Sequence, residues 1–171
     1  MEIFHIAIHE AGHAVIGTLL NRNIKYVYLT LDSVDTQGIC AFPAIRWSKQ
    51  YWCDPSYSPR FKNIAKREIM IRFAGHIALE IETNGSCGNW NECGGDADVE
   101  EIANLGLTMC CGDTIEFENY CCDLWDKTRN MLITPLTWSM IQAVATELTE
   151  KSRLNGKRVQ EICQSIKDLS D

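Results

Sequence analysis

The chain has 171 residues, with 16 Lys and Arg against 23 Asp and Glu, a formal net charge of -7 and 46% hydrophobic residues. That length suits one compact domain rather than two large ones. A chain of this size can bury enough apolar surface to fold without metals or disulfides as staples. The acidic balance excludes a protein that works by neutralising phosphates, so no nucleic-acid partner is expected.

Residues 2–21 place Ile3, Ile6, Ala7, Ala11, Ala14 and Val15 at helical spacing, which predicts a buried helix. Residues 25–42 predict a hairpin: β-branched and aromatic residues from Tyr26 to Thr30, a polar turn, then Gln37 to Phe42. Pro43, Pro55 and Pro59 bracket a loop. A second helix is expected over 60–83, carrying Ile64, Ile69, Met70, Phe73, Ile77, Leu79 and Ile81 and stopping at Asn84-Gly85. Lys62, Lys66, Arg67 and Arg72 on it are read as a solvated helix face.

The stretch 84–95 holds four glycines, three asparagines and two cysteines, the composition of an exposed loop. Helical spacing resumes over 96–110 with acidic residues in the first turn, where a helix N-terminus favours them. Residues 115–168 predict the C-terminal helices. Within them Thr134-Pro135 reads as a cap and first-turn proline, and Asn155-Gly156 as a break before a last helix with Val159, Ile162, Cys163 and Ile166. The fold class expected is mainly α (α+β), one domain with one small β-hairpin.

No apolar run approaches the length of a membrane span, and the first residues lack the pattern of a secretory leader, so a cytoplasmic location is expected. The nine cysteines match no zinc-ribbon or finger spacing and are read as reduced, mostly buried side chains. Cys87 and Cys93, in one loop, are the pair whose oxidation would overturn the compartment.

One motif carries chemistry. His9-Glu10-Ala11-Gly12-His13 is an H-E-x-x-H sequence inside a segment that reads as helical on independent grounds. Residues four apart share a helix face, so His9 and His13 can direct imidazole nitrogens at one Zn2+ ion. Glu10, beside the first ligand, can take a proton from a metal-bound water whose pKa zinc has lowered, which yields a nucleophile for a scissile carbonyl. Ala11 and Gly12 leave room for a neighbouring helix or a substrate backbone. Chance could place these residues four apart on a polar face. A largely apolar helix carrying three ionisable groups needs partners for them, however, and a metal supplies one.

Two histidines do not complete a catalytic zinc site. Ile16 and Leu19 exclude the metzincin extension, which needs Gly and His there. Spacing leaves open Glu80, Glu82, Asp96, Asp98, Glu100 and Glu101 as the third ligand. His5 and His76 are read as outer-layer or core histidines rather than ligands.

The run Ile8-His9-Glu10-Ala11-Gly12-His13-Ala14-Val15-Ile16-Gly17 resembles the zinc motif of the FtsH peptidases, the proteolytic domain of membrane-bound ATP-dependent proteases. The hairpin falls where that family has a short β element. Ile71-Arg72-Phe73-Ala74-Gly75-His76-Ile77-Ala78-Leu79-Glu80 is similar to its helix ending in Gly-Gly-Arg-Ala-Ala-Glu-Glu, and Gly94-Gly95-Asp96-Ala97-Asp98-Val99 to its Gly-Ala-Ser-Asn-Asp-Leu. The C-terminal helical pair matches at Glu147, Leu148, Leu154, Gly156 and Val159.

The resemblance implies a zinc metalloendopeptidase in which His9, His13 and Asp98 hold zinc and Glu10 is the general base. The chain departs from the family at His76, where the family has arginine, at Ile102, and in the longer loop before the aspartate. It also has no G-x-x-x-x-G-K-[ST] phosphate loop and no membrane anchor, so a peptidase without its own ATPase is expected. Its partner would be protein or peptide substrate in unfolded segments, with a ring-forming homo-oligomer or a separate ATPase as further implied partners. Two rival readings are a small regulatory H-E-x-x-H protease with a glutamate ligand and one specific substrate, and a non-catalytic zinc-bearing adaptor that docks on a separate ATPase.

Overall fold

A computed structural model describes residues 2–31, 36–45, 59–85 and 96–170. Among them lie α1 (Ile3–Leu19), β1 (Tyr26–Leu31), β2 (Thr36–Ala41), α2 (Pro59–Thr83), α3 (Asp96–Met109), α4 (Thr114–Leu132), α5 (Pro135–Lys151), β3 (Arg153–Asn155) and α6 (Gly156–Asp168). The architecture is mainly α with a small antiparallel sheet.

Helix α1 is the axis of the core. Every residue from Ile6 to Gly17 except His9 is buried, so neither side of the helix is left to water over that stretch. Helix α2 packs along it through Ile69, Ile71, Phe73, Ala74, Ile77 and Ala78, and passes Gly12 beside Ala74 and Ala78. The small residues Ala11 and Gly12 thus admit a neighbouring helix. Helices α4 and α5 close the core with Leu124, Leu132, Met140, Ile141, Val144 and Leu148, all essentially without exposure.

The C-terminal helices begin where cap chemistry places them. Asp113 accepts from the Ile115 and Glu116 N–H groups, each at 2.9 Å, to open α4. Thr134 accepts from Thr137 N–H ahead of a first-turn Pro135 to open α5, and Asn155 accepts from Arg158 N–H at 2.8 Å to open α6.

The hairpin pairs Tyr26 with Ala41, Val27 with Cys40 and Leu29 with Gly38. Val27, Leu29 and Cys40 are buried, and Ile39 on the alternate face is 41% exposed. The sheet order is β2-β1-β3, because the Asn155-Gly156 break expected before the last helix contains a strand. Strand β3 pairs Leu154 with Val27 and buries it. Three residues are too few to show a period, so this strand exists only by virtue of its partner.

Six cysteines lie among the described residues and are free: Cys40, Cys110, Cys121 and Cys163 are buried, Cys111 and Cys122 exposed. Cys53 and the pair Cys87 and Cys93 lie outside the described residues, as does most of the glycine-rich loop. The basic face of α2 is corrected in part. Lys62 and Lys66 are exposed, whereas Arg67 approaches the buried Glu68 at 3.5 Å and Arg72 turns toward α3. No described helix is long and apolar enough to cross a membrane.

Candidate metal centre

The four-residue spacing of His9 and His13 puts both imidazoles on the face of α1 toward α2 and α3. Their Nε2 atoms are 3.0 Å apart. Asp98, from the first turns of α3, sets Oδ2 at 3.1 Å from His13 Nε2 and 3.5 Å from His9 Nε2. These three side chains, His13 buried and His9 and Asp98 partly so, form a group that could hold a metal ion.

His13 is held from behind. Its Nδ1–H donates to the Ile71 carbonyl on α2 at 2.6 Å, which aims the Nε2 lone pair at the other two donors. Gly75, one turn along α2, makes the space for both rings: a Cβ there would clash with His13 Nε2 and lie 2.8 Å from His9 Cε1. Glycine inside a helix costs backbone entropy, and here the close approach of two imidazoles requires it.

The charges are arranged to complement one another. Burial raises the pKa of Asp98, but the adjacent His13 and His9 outweigh it and hold the carboxyl well below the usual carboxylate range. Burial works against a His13 cation, yet Asp98, followed by Glu10 and the Ile71 carbonyl, moves that pKa up. Two imidazole nitrogens and a carboxylate oxygen this close demand a positive centre between them, whether proton or metal.

Glu10 stands beside the group without joining it. It is 6% exposed, and burial raises its pKa against the opposing effect of His13 and His9 and of the Cys40 backbone N–H. Strand β2 lies directly over it. A Cβ at Gly38 would come within 2.5 Å of Glu10 Cγ and 2.7 Å of Oε1, so only glycine lets the strand approach. An isolated glycine in a strand pattern is the sequence signal of such an approach, and Gly38 carried it.

The group opens into a cleft of about 580 Å³ bordered by Gln37, Gly38, Ile39 and Cys40 of β2 and by Arg72 and Ala97. A second cavity of about 450 Å³ adjoins it, sharing Cys40 and Arg72 and lined further by Phe42, Pro43 and Leu105. The buried pair Arg22 and Glu68, 3.0 Å apart, also borders it.

The other ligand candidates lie elsewhere. Glu80 accepts from Arg129 at 2.8 Å, Glu101 pairs with Arg72, and Glu100 is exposed. Glu82 and His5 are outside the cluster, and the side chain of Asp96 is outside the described residues. His76 is buried behind the ligands, its ring edge-on to His9 with centroids 4.9 Å apart. Burial, with His9 beside it, pushes its pKa down to about 4. Among the described residues its Nε2 has no hydrogen-bond partner. Arg72 was missed as a site residue; its Nε stands 3.6 Å from Asp98 Oδ1, and nothing in a row of basic residues distinguished it.

No protein-family model matches the chain, and no curated protein matches it significantly.

Proposed function

We propose that the chain is a zinc-dependent metallopeptidase that hydrolyses peptide bonds of extended protein segments. The observation that carries the reading is the meeting of His9 Nε2, His13 Nε2 and Asp98 Oδ2 beside a buried Glu10 that is not part of the group. Zinc bound by nitrogen and oxygen donors at about 2.0–2.1 Å in a tetrahedron separates them by about 3.3 Å. The separations here, 3.0, 3.1 and 3.5 Å, bracket that edge. Two imidazoles and one carboxylate are also a donor set of catalytic zinc, which keeps one position open.

When bound, zinc would supply Lewis acidity that acidifies water and polarises a carbonyl. The remaining work falls to the chain. Ile71 fixes the tautomer of His13, and Asp98 brings the negative charge that offsets a dication. Glu10 moves the proton: its carboxylate, buried beside the group, can accept a proton, and its acid form can deliver the proton to a leaving amine. Strand β2 pairs only with β1 among the described residues, so its outer edge can bind an extended peptide by main-chain hydrogen bonds. The cavity beside Phe42 and Leu105 then lies where a substrate side chain next to the scissile bond would enter.

Replacing Glu10 by Gln tests the mechanism. The variant is expected to lose cleavage of an unstructured protein such as casein, by about 100-fold or more, while still binding one zinc per chain. Retained cleavage would sink the role of Glu10. Stoichiometric zinc in the wild-type chain with no turnover on any peptide would instead favour the non-catalytic module.

A further inference from the structure

Beside the three donors, α2 presents a second pair of side chains four residues apart, Arg72 and His76, with Gly75 on the same face between them. The pair brackets the Asp98 carboxylate. Arg72 Nε stands 3.6 Å from Oδ1 and His76 Nε2 stands 3.8 Å from Oδ2. Arg72 is held in turn by Glu101 on α3, one helical turn beyond Asp98.

His76 is 7% exposed and its Nε2 has no hydrogen-bond partner among the described residues. Buried ring nitrogens almost always find one, because a donor left without a partner keeps the full cost of its desolvation. The acceptor this nitrogen faces is Asp98 Oδ2, a small displacement beyond hydrogen-bond length. His76 is outside both the group of converging donors and the cleft lining. It therefore approaches the carboxylate without lining the cleft.

The two histidine donors come from α1 and the carboxylate from α3, so the geometry of the set depends on an element that touches both. That element is α2: the Ile71 carbonyl orients His13, and Arg72 and His76 face Asp98. We propose that His76 is a positioning residue of the metal centre, donating Nε2–H to Asp98 Oδ2 while Arg72 holds Oδ1, so that the carboxylate is presented to the ion in one orientation. The inference rests on the metal reading of His9, His13 and Asp98, and it stands whether or not the chain cleaves peptides.

Zinc affinity of the full chain, measured by competition with a chromogenic chelator, tests it, with thermal melting as the check on folding. His76→Leu and His76→Asn, which place no donor at the Nε2 position, are expected to weaken zinc binding about 10- to 100-fold, the usual effect of losing such a support. His76→Gln, whose amide nitrogen reaches that position, is expected to stay within about threefold of wild type. X-ray absorption should find the same two imidazoles on zinc in the wild type and in His76→Leu. Either Leu or Asn serves as the negative arm if the other fails to fold. Unchanged affinity in the negative arm, equal losses in it and in His76→Gln, or an imidazole missing from zinc in His76→Leu would each overturn the proposal. A wild-type chain that binds no zinc would overturn it together with the metal reading, whereas zinc binding without proteolysis leaves it intact and removes only the peptidase.

Discussion

At the scale of single residues, the candidate metal group depends on a contact that no polar group makes. Gly75 gives the His9 and His13 rings their place against α2, and a methyl group there would press on His13 Nε2 closer than any Cβ contact allows. Gly75→Ala should therefore displace the imidazole from the Ile71 carbonyl and from Asp98. Overpacking of this kind costs about 1–3 kcal/mol, so a melting curve should show a folded variant. Zinc content after dialysis should fall sharply; a variant that keeps full zinc would show that α2 can retreat. Asp98→Ala and Glu80→Ala separate two carboxylates that spacing could not rank. The first should abolish tight zinc binding with little change in the fold. The second should keep zinc and change stability by no more than about 1 kcal/mol, because Arg129 is 40% exposed and stays hydrated. The legibility of these residues follows from sequence distance. His9, Glu10 and His13 were readable because one helical turn converts a spacing of four into a shared face. Asp98 came from the resemblance to FtsH peptidases alone, since nothing local tells a helix-starting aspartate which distant face it will meet. Arg72 reads as a solvated face and Gly75 as one residue of a helical run, because their roles consist in what approaches them.

At the scale of elements, periodicity and cap chemistry located the helices within a residue or two, and the boundary of α5 was legible in Thr134-Pro135 because a cap and its proline act locally. Strand β3 was not, because its three residues are held by β1 pairing and by the turn at Ser152, which takes a left-handed conformation at φ 56. The junction that carries this strand is tied across by Glu147 of α5, which accepts from Arg158 of α6 through both carboxylate oxygens at 2.8 Å and from Lys151 at 2.8 Å. The hydrogen bonds from Arg158 and Lys151 pull the Glu147 carboxyl down to about 2 from an ordinary 4.5. A folded-state pKa below the unfolded value stabilises the native state wherever the unfolded carboxyl is ionised, so the contribution is fully present above about pH 4.5 and fades as the pH falls toward 2. Glu147→Gln should accordingly melt below wild type at pH 7, and the two melting temperatures should converge through that acid window. A gap that stayed constant to pH 2 would mean that Glu147 acts through packing rather than charge.

At the scale of the whole molecule, the candidate metal group adjoins a large apolar core. Helix α1 buries Ile8, Ala11, Val15 and Ile16 without exposure, and Phe73, Ile77, Leu124, Ile141 and Leu148 surround them. A zinc finger has no such core and unfolds without its ion; a domain of this length has apolar burial enough to stay folded. Zinc should therefore add to stability by linkage alone. An ion present at 100 times its dissociation constant contributes about 2.7 kcal/mol. At about 2–4 °C per kcal/mol for a domain of 150–250 residues, stripping the ion with a chelator should lower the melting temperature by about 5–11 °C. The stripped chain should keep its helical circular dichroism at 25 °C and regain the higher melting temperature when zinc is restored. A chelated chain unfolded at 25 °C would assign the ion to the fold, whereas a melting temperature indifferent to zinc would remove the metal from the native state altogether.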